Sequence, residues 1–304
     1  MIVVAGEALI DVVDGHERPG GGPFNTARAL GRLGVPVGFL GRLSTDARGR
    51  RLAALLEGDG VGLQLSSLGP EPTTIARASV DAAGVAVYAF DVAGTSAPSL
   101  LPAAVPADLG PEVEAVHAGT LGLVLEPMAS TLMQVLDRER GRRVVILDPN
   151  VRPGLIDDGA YRARLRQAIA MSDIVKASET DIAWIFGTDD YEKAAAAMLA
   201  EGARLVVVTL GARGAFALHG SSSVQVPAPR VEVVDTIGAG DAFGAALAAW
   251  MHGHHALHPG FRLTEKDLRA VLAYACLVAS LTCARAGADP PWRSEMMAQR
   301  SAAD

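Results

Sequence analysis

Residues 235–243 read Asp-Thr-Ile-Gly-Ala-Gly-Asp-Ala-Phe, and an Ala-rich helical run follows to Met251. A helix start carries free backbone N–H groups and a partial positive charge. Gly238 and Gly240 let an anion approach that backbone, with Ala239 between them. Asp241 at the junction would repel a phosphate held in a plain cradle. It makes sense as a base, with the N–H groups of 239–241 holding charge that develops beside it. That chemistry is phosphoryl transfer to a hydroxyl.

Other segments offer partners for such a reaction. Gly20-Gly-Gly-Pro-Phe-Asn25 leads into a helix, so a ligand can touch backbone at Gly21 and Gly22, and Asn25 offers donor and acceptor. The alternative is an ordinary glycine turn. Asp11 lies in an apolar strand, where a carboxylate is costly unless paired or at an edge. It either holds sugar hydroxyls or faces water. Asp148-Pro-Asn-Val-Arg152 ends a strong strand, the usual place for ligands in open α/β sheets, and Arg152 either grips an anion or sits on the surface. In Lys176-Ala-Ser-Glu-Thr-Asp181, Glu179 and Asp181 can hold Mg²⁺ through water, or Ser178 can cap a helix with both acids in its first turn. Thr209-Leu-Gly-Ala-Arg-Gly214 is a nucleotide wall or a hairpin turn, and the His252–His258 tract a metal site or a loop.

Several familiar signatures are missing. There is no Gly-Lys-Ser/Thr of a P-loop, no Gly-x-Ser-x-Gly and no His-Glu-x-x-His. Gly238-Ala-Gly240 is half of a dinucleotide fingerprint in the wrong part of the chain.

Strand-like runs at 37–41, 113–117, 144–148, 174–177 and 205–210 must position these residues. They alternate with helical runs at 23–33, 48–56, 128–138, 161–171, 191–200, 242–251 and 265–283. Such alternation predicts an α/β fold: a mostly parallel central sheet flanked by helices on both faces. Two stretches break the pattern. Ala8–Val13 is β-like and precedes a polar turn, 14–18; Thr73–Val80 and Val85–Phe90 flank a hairpin signal at Asp81–Gly84. Together they form a small sheet serving as lid or dimer contact, or else they extend the main sheet. The tail from Arg293 is polar and is expected to fray.

The chain has 304 residues, 50% hydrophobic, with net charge −7. The mild negative charge argues against nucleic acid as the main partner. No apolar run reaches the roughly 18 residues of a membrane span, and the N-terminus lacks a signal peptide's basic region, so no membrane association is expected. Cys276 and Cys283 share a helix face as free thiols, which fits a reducing cytoplasm.

Taken together, these motifs resemble the ribokinase-like (PfkB) carbohydrate kinases over nearly the full length. Gly21-Gly-Pro-Phe-Asn25 looks like the family's N-terminal signature and Asp235–Asp241 like its C-terminal one. Gly6-Glu-Ala-Leu-Ile-Asp11 and Asp148-Pro-Asn-Val-Arg-Pro153 are similar to the fructokinase and 2-keto-3-deoxygluconate kinase branch, and 282–287 resembles a nucleotide-side segment. The resemblance implies one kinase domain over 1–304 with a β lid from about 8–20 and 73–96. It implies Mg·ATP as phosphoryl donor, a sugar acceptor and a possible homodimer through the lid. Asp241 would take the hydroxyl proton. Asp11, Gly21, Gly22, Asn25, Tyr88, Phe90 and Arg152 would hold the sugar. Lys176, Ser178, Thr209, Gly211 and Gly214, with Gly238 and Gly240, would face the nucleotide. Where the family often carries Asn-x-x-Glu near the metal, this chain has Ser178-Glu-Thr-Asp181, and Ile237 replaces a threonine common in cation-using members. A monovalent-cation requirement is therefore left open. Fructose is the expected acceptor. The alternatives are 2-keto-3-deoxygluconate, ribose or a nucleoside, and outside the kinases a silent sugar sensor or a dinucleotide-dependent oxidoreductase.

Overall fold

Short β-branched runs, apolar throughout, suit strands covered on both faces. The computed structural model describes residues 1–13, 15–80 and 86–301. Strands β1 (Ile2–Ala5), β2 (Leu9–Val13) and β3 (His16–Gly20) open the chain, and α1 (Gly22–Arg32) follows. Next come β4 (Val37–Leu40), β5 (Arg42–Ser44), α2 (Ala47–Gly58), β6 (Val61–Gly62), β7 (Ser67–Gly69), β8 (Ile75–Val80) and β9 (Ala86–Asp91). Then come β10 (Ala115–Gly119), α3 (Met128–Glu139), β11 (Val144–Asp148), α4 (Asp158–Ala170), β12 (Ile174–Ser178), α5 (Glu179–Phe186) and α6 (Tyr191–Glu201). The chain closes with β13 (Leu205–Thr209), β14 (Ala215–His219), β15 (Ser222–Val226), α7 (Ala239–Gly253), α8 (Glu265–Cys283) and α9 (Arg293–Ser301).

The main sheet has the order β15-β14-β13-β12-β11-β10-β1-β4-β6. It is parallel from β13 to β6, and β14 and β15 add an antiparallel edge. Strand period two sorts the core into two layers. Ile2 and Val4 pack in the cluster that contains α1, α7 and α8, whereas Val3 and Ala5 pack in the cluster that contains α3 and α4. Both faces are thus helix-covered, and the carboxyl ends of β1, β10, β11, β12 and β13 open on one rim.

The second sheet, β3-β2-β8-β9, is separate from the first. The runs at 8–13 and 73–90 therefore do not extend the main sheet. The expected polar turn at 14–18 is corrected in part: His16–Gly20 pairs antiparallel with β2, from Val13↔His16 to Leu9↔Gly20. Exposed His16, Glu17 and Arg18, with Pro19, hide this strand from a hydrophobic-pattern reading and suit an edge. β8 and β9 pair with Val80 opposite Ala86; the predicted hairpin turn itself lies outside the described residues. The tail is also corrected: α9 is anchored by Met296, 4% exposed in the core. Strands β5 and β7 pair as a third, two-stranded sheet that the pattern does not reveal.

Candidate functional site

Two helix starts meet at the rim of the main sheet. α7 begins at Ala239, earlier than the hydrophobic pattern suggests, so Ala239, Gly240 and Asp241 form its first turn. Gly238 caps it at φ 76° and ψ −2°, a left-handed conformation that favours glycine. No side chain caps this start; Ala239 N donates weakly to the Thr236 carbonyl at 3.3 Å, and the N–H groups of the first turn have no intrahelical partner. α1 begins at Gly22, with Pro23 in the first turn where a missing N–H costs nothing. A Cβ on Gly22 would lie 2.4 Å from Thr120 Oγ1, so the close packing there requires glycine.

Asn25 lies inside α1 rather than before it. Its Nδ2 donates to Asp241 Oδ2 at 2.8 Å across the two helix starts. One donor of its amide is therefore committed to the carboxylate, and its Oδ1 is buried without a protein partner. Burial raises the Asp241 pKa, opposed by Asn25 and by the positive charges of Lys176 and Arg152. The result is a dehydrated carboxylate at a positive helix end, a stronger base than an exposed one.

Asp241 lines a mixed polar cavity of about 780 Å³ that also takes in Asp11, Gly21, Gly22, Asn25, Phe90 and Arg152. Burial pushes Asp11 up to about 6, against the pull of Arg152 and with the push of Asp241. Arg152 Nη1 donates to Asn150 O, Asn150 Oδ1 and Val151 O, at 3.1, 2.7 and 3.0 Å. Its Nη1 is thus tied to its own turn. The side chain of Tyr88 lies outside the described residues.

A second cavity of about 560 Å³ adjoins the first, sharing Thr209, Thr236 and Gly240. It is mainly apolar, walled by Gly211, Ala212, Gly214, Pro229, Val231, Phe243, Ala279 and both cysteines. Gly211–Arg213 is at once the turn between β13 and β14 and part of this wall. Asp235 holds the neighbouring loops: its Oδ1 accepts from Ile237 N at 3.0 Å and its Oδ2 from Gly287 N at 2.8 Å.

The acidic residues expected near a metal are engaged by protein. Asp181 Oδ1 accepts from Val151 N at 2.7 Å, and Oδ2 from Ser178 N and Ser178 Oγ at 2.8 and 2.7 Å. Ser178 and Asp181 form the capping box of α5. Glu179 pairs with Arg213. Among the described residues no three His, Cys, Asp or Glu side chains gather as a metal cage. Such a donor set fits Mg²⁺ only as an ion carried by phosphates and water. The His252–His258 tract is divided: His252 pairs with Glu114 and His254 bonds the Trp250 carbonyl.

Glu7 and His117 enter the site from outside the expected set, and the expected Lys176 takes a buried partner there. Glu7, fully buried, accepts from Gly22 N at 3.1 Å and Gly122 N at 2.9 Å, and burial raises its pKa to about 8. Lys176 Nζ donates to Asp148 Oδ2 at 2.8 Å, both side chains at most 5% exposed. His117 sits beside them, its ring nitrogens buried without partners and its pKa lowered to about 3 by burial. An ionisable residue inside an apolar strand was the available signal for His117.

A family model described as pfkB family carbohydrate kinase matches residues 2–295. A fructokinase from Rhizobium leguminosarum bv. trifolii is 41% identical over 259 residues, covering 82% of this chain and 79% of its own. A fructokinase with bound ATP from Xylella fastidiosa superposes with TM-score 0.90 at 24% identity, covering 99% of this chain and 98% of that one. A fructokinase from Vibrio cholerae O395, bound to fructose, ADP and calcium ion, superposes with TM-score 0.83 at 26% identity over 94% of each chain.

Proposed function

This chain belongs to the pfkB family of carbohydrate kinases, and on that premise we propose that it transfers the γ-phosphoryl group of ATP to a primary hydroxyl of fructose. The observation that carries the proposal is Asp241, buried in the first turn of α7 where a polar cavity meets an apolar one. The polar cavity suits a sugar and the apolar one an adenine ring. Asp11 accepts from sugar hydroxyls, Gly21 and Gly22 present backbone, and Asn25 orients Asp241 while its Oδ1 faces the same space. Phe90, in β9, covers the apolar side of the sugar. Closure of the β3-β2-β8-β9 sheet excludes the water that would compete as acceptor. We place a homodimer contact on the outer face of that sheet.

Asp241 accepts the hydroxyl proton as the oxygen attacks phosphorus. Negative charge on the transferring group is met by the N–H groups of Ala239, Gly240 and Asp241. Thr209, Gly211 and Gly214 line the nucleotide, and Ser178 lies beside its phosphates. Asp181 would hold, through water, the Mg²⁺ carried by ATP, which would offset phosphate charge. The free thiols of Cys276 and Cys283 fit a cytoplasmic setting.

The structural relatives support fructose: the 41% identical protein is a fructokinase, and the Vibrio cholerae enzyme holds fructose and ADP. A substrate carboxylate, as in 2-keto-3-deoxygluconate, would need a cation; Arg152 lines the cavity, but its Nη1 is bonded to its own turn. An ATP-consumption assay with fructose, ribose, 2-keto-3-deoxygluconate and a nucleoside tests the reading. Fructose should give the highest kcat/KM; preference for another acceptor, or no turnover with any, would overturn it.

A further inference from the structure

Asp241 must be ionised to act as a base, yet its surroundings oppose ionisation. It is 7% exposed. Glu7, Asp11 and Asp148 are acidic neighbours whose own ionisation it opposes. Asn25 contributes one hydrogen bond and no charge. Among the described residues, two cations act on it, Lys176 and Arg152. Arg152 is turned into its own loop by three hydrogen bonds. His117, against the same helix, stays neutral. Lys176 is placed differently. A Cβ on Gly240, the residue before Asp241, would lie 3.2 Å from Lys176 Nζ. The ammonium therefore sits under the first turn of α7, and Asp148 on the adjacent strand holds it there at 2.8 Å.

Buried ion pairs contribute little net stability compared with an apolar pair of the same size, so stability alone does not account for this one. We propose that Asp148 and Lys176 are a positioning pair for the reaction: Asp148 fixes the ammonium beneath Gly240, and the ammonium keeps Asp241 ionised in its dry site. This rests on the reading of Asp241 as the base. The fixed positive charge also adds to the helix start where phosphoryl charge develops. Asp181, capping α5, acts on the same pair and accepts three hydrogen bonds of its own.

The test is the pH profile of kcat/KM for fructose in Lys176→Met, Lys176→Gln and Lys176→Arg. Gln keeps a donor for Asp148, which secures a folded neutral variant, and thermal melting checks each. Losing an opposite charge at this range should move the acid limb upward by about one to three pH units in the neutral variants. Lys176→Arg should leave the limb near that of the wild type, and the KM for fructose should change little in all three. An acid limb that stays in place in a folded neutral variant overturns the proposal, whatever happens to the rate. Asp241→Asn, run alongside, separates the two readings. If it stays active, the base assignment fails. If it is inactive while the neutral variants keep the wild-type limb, only the role of Lys176 fails.

Discussion

Replacing Gly238 with alanine tests both the fold and the chemistry at the start of α7. The backbone there is left-handed, and an added Cβ would lie 2.5 Å from Ala288 Cβ and 2.9 Å from Ala288 Cα. The second contact is with backbone, so no side-chain rotation relieves it. A left-handed L-residue costs about 1–2 kcal/mol, and overpacking adds about 1–3 kcal/mol. The stiffer unfolded chain offsets about 0.4–1 kcal/mol. The net loss is then about 1–5 kcal/mol, read by denaturant unfolding. Any relief must move the peptides of 239–241, so turnover should also fall, by about 10²–10³-fold if one charge-stabilising donor is lost. Gly253→Ala, at the other end of the same helix, is the control: nothing lies within 4 Å of its added Cβ, and it should be neutral or stabilising by up to about 1 kcal/mol. A Gly238→Ala protein with wild-type unfolding midpoint and wild-type turnover would refute the reasoning for this helix start.

Two further outcomes follow from the hydrogen bonds. Asn25→Ala removes the 2.8 Å bond to Asp241; this makes the carboxylate easier to protonate, and the acid limb of kcat/KM should rise by about one pH unit. A limb that stays put would mean that Asn25 does not orient the base. Burial raises the Asp46 carboxyl, but bonds from Gly49 N and from Thr73 outweigh it and hold it at about 2. Its folded pKa is below the unfolded 3.8, so its contribution to stability is present above that value and is lost as pH falls through about 2. Asp46→Asn should flatten that part of the acid-unfolding curve; an unchanged slope between these values would contradict the assignment.

What the sequence makes legible here is local. The glycine-rich start of α7 and the Gly-Pro start of α1 are continuous in the chain, so turn chemistry and helix starts identify them directly. Helix α8 runs from Glu265 to Cys283 as its pattern predicts, with Thr264 and Asp267 forming its capping box. What stays hidden depends on register. His117, Asp148 and Lys176 come from three neighbouring strands, and only sheet order brings them together. β3 escapes because a polar edge strand lacks hydrophobic alternation. Of the apolar cavity, only the Thr209–Gly214 side is legible as a motif; the rest of its walls are a loop near Pro229 and faces of α7 and α8. Ser178 and Asp181 show the limit of motif reading: they form a capping box, and a capping box and a water-mediated metal contact draw on the same residue types.

The most direct test of the central claim is the rate of phosphoryl transfer from Mg·ATP to fructose in Asp241→Asn. The amide can still accept from Asn25 Nδ2, so the fold and fructose binding should persist. With no proton acceptor beside the hydroxyl, turnover should fall by about 10²–10⁴-fold, while fructose and ATP still raise the melting temperature. An Asp241→Asn protein that keeps more than about a tenth of wild-type turnover would contradict the account of Asp241 as the base.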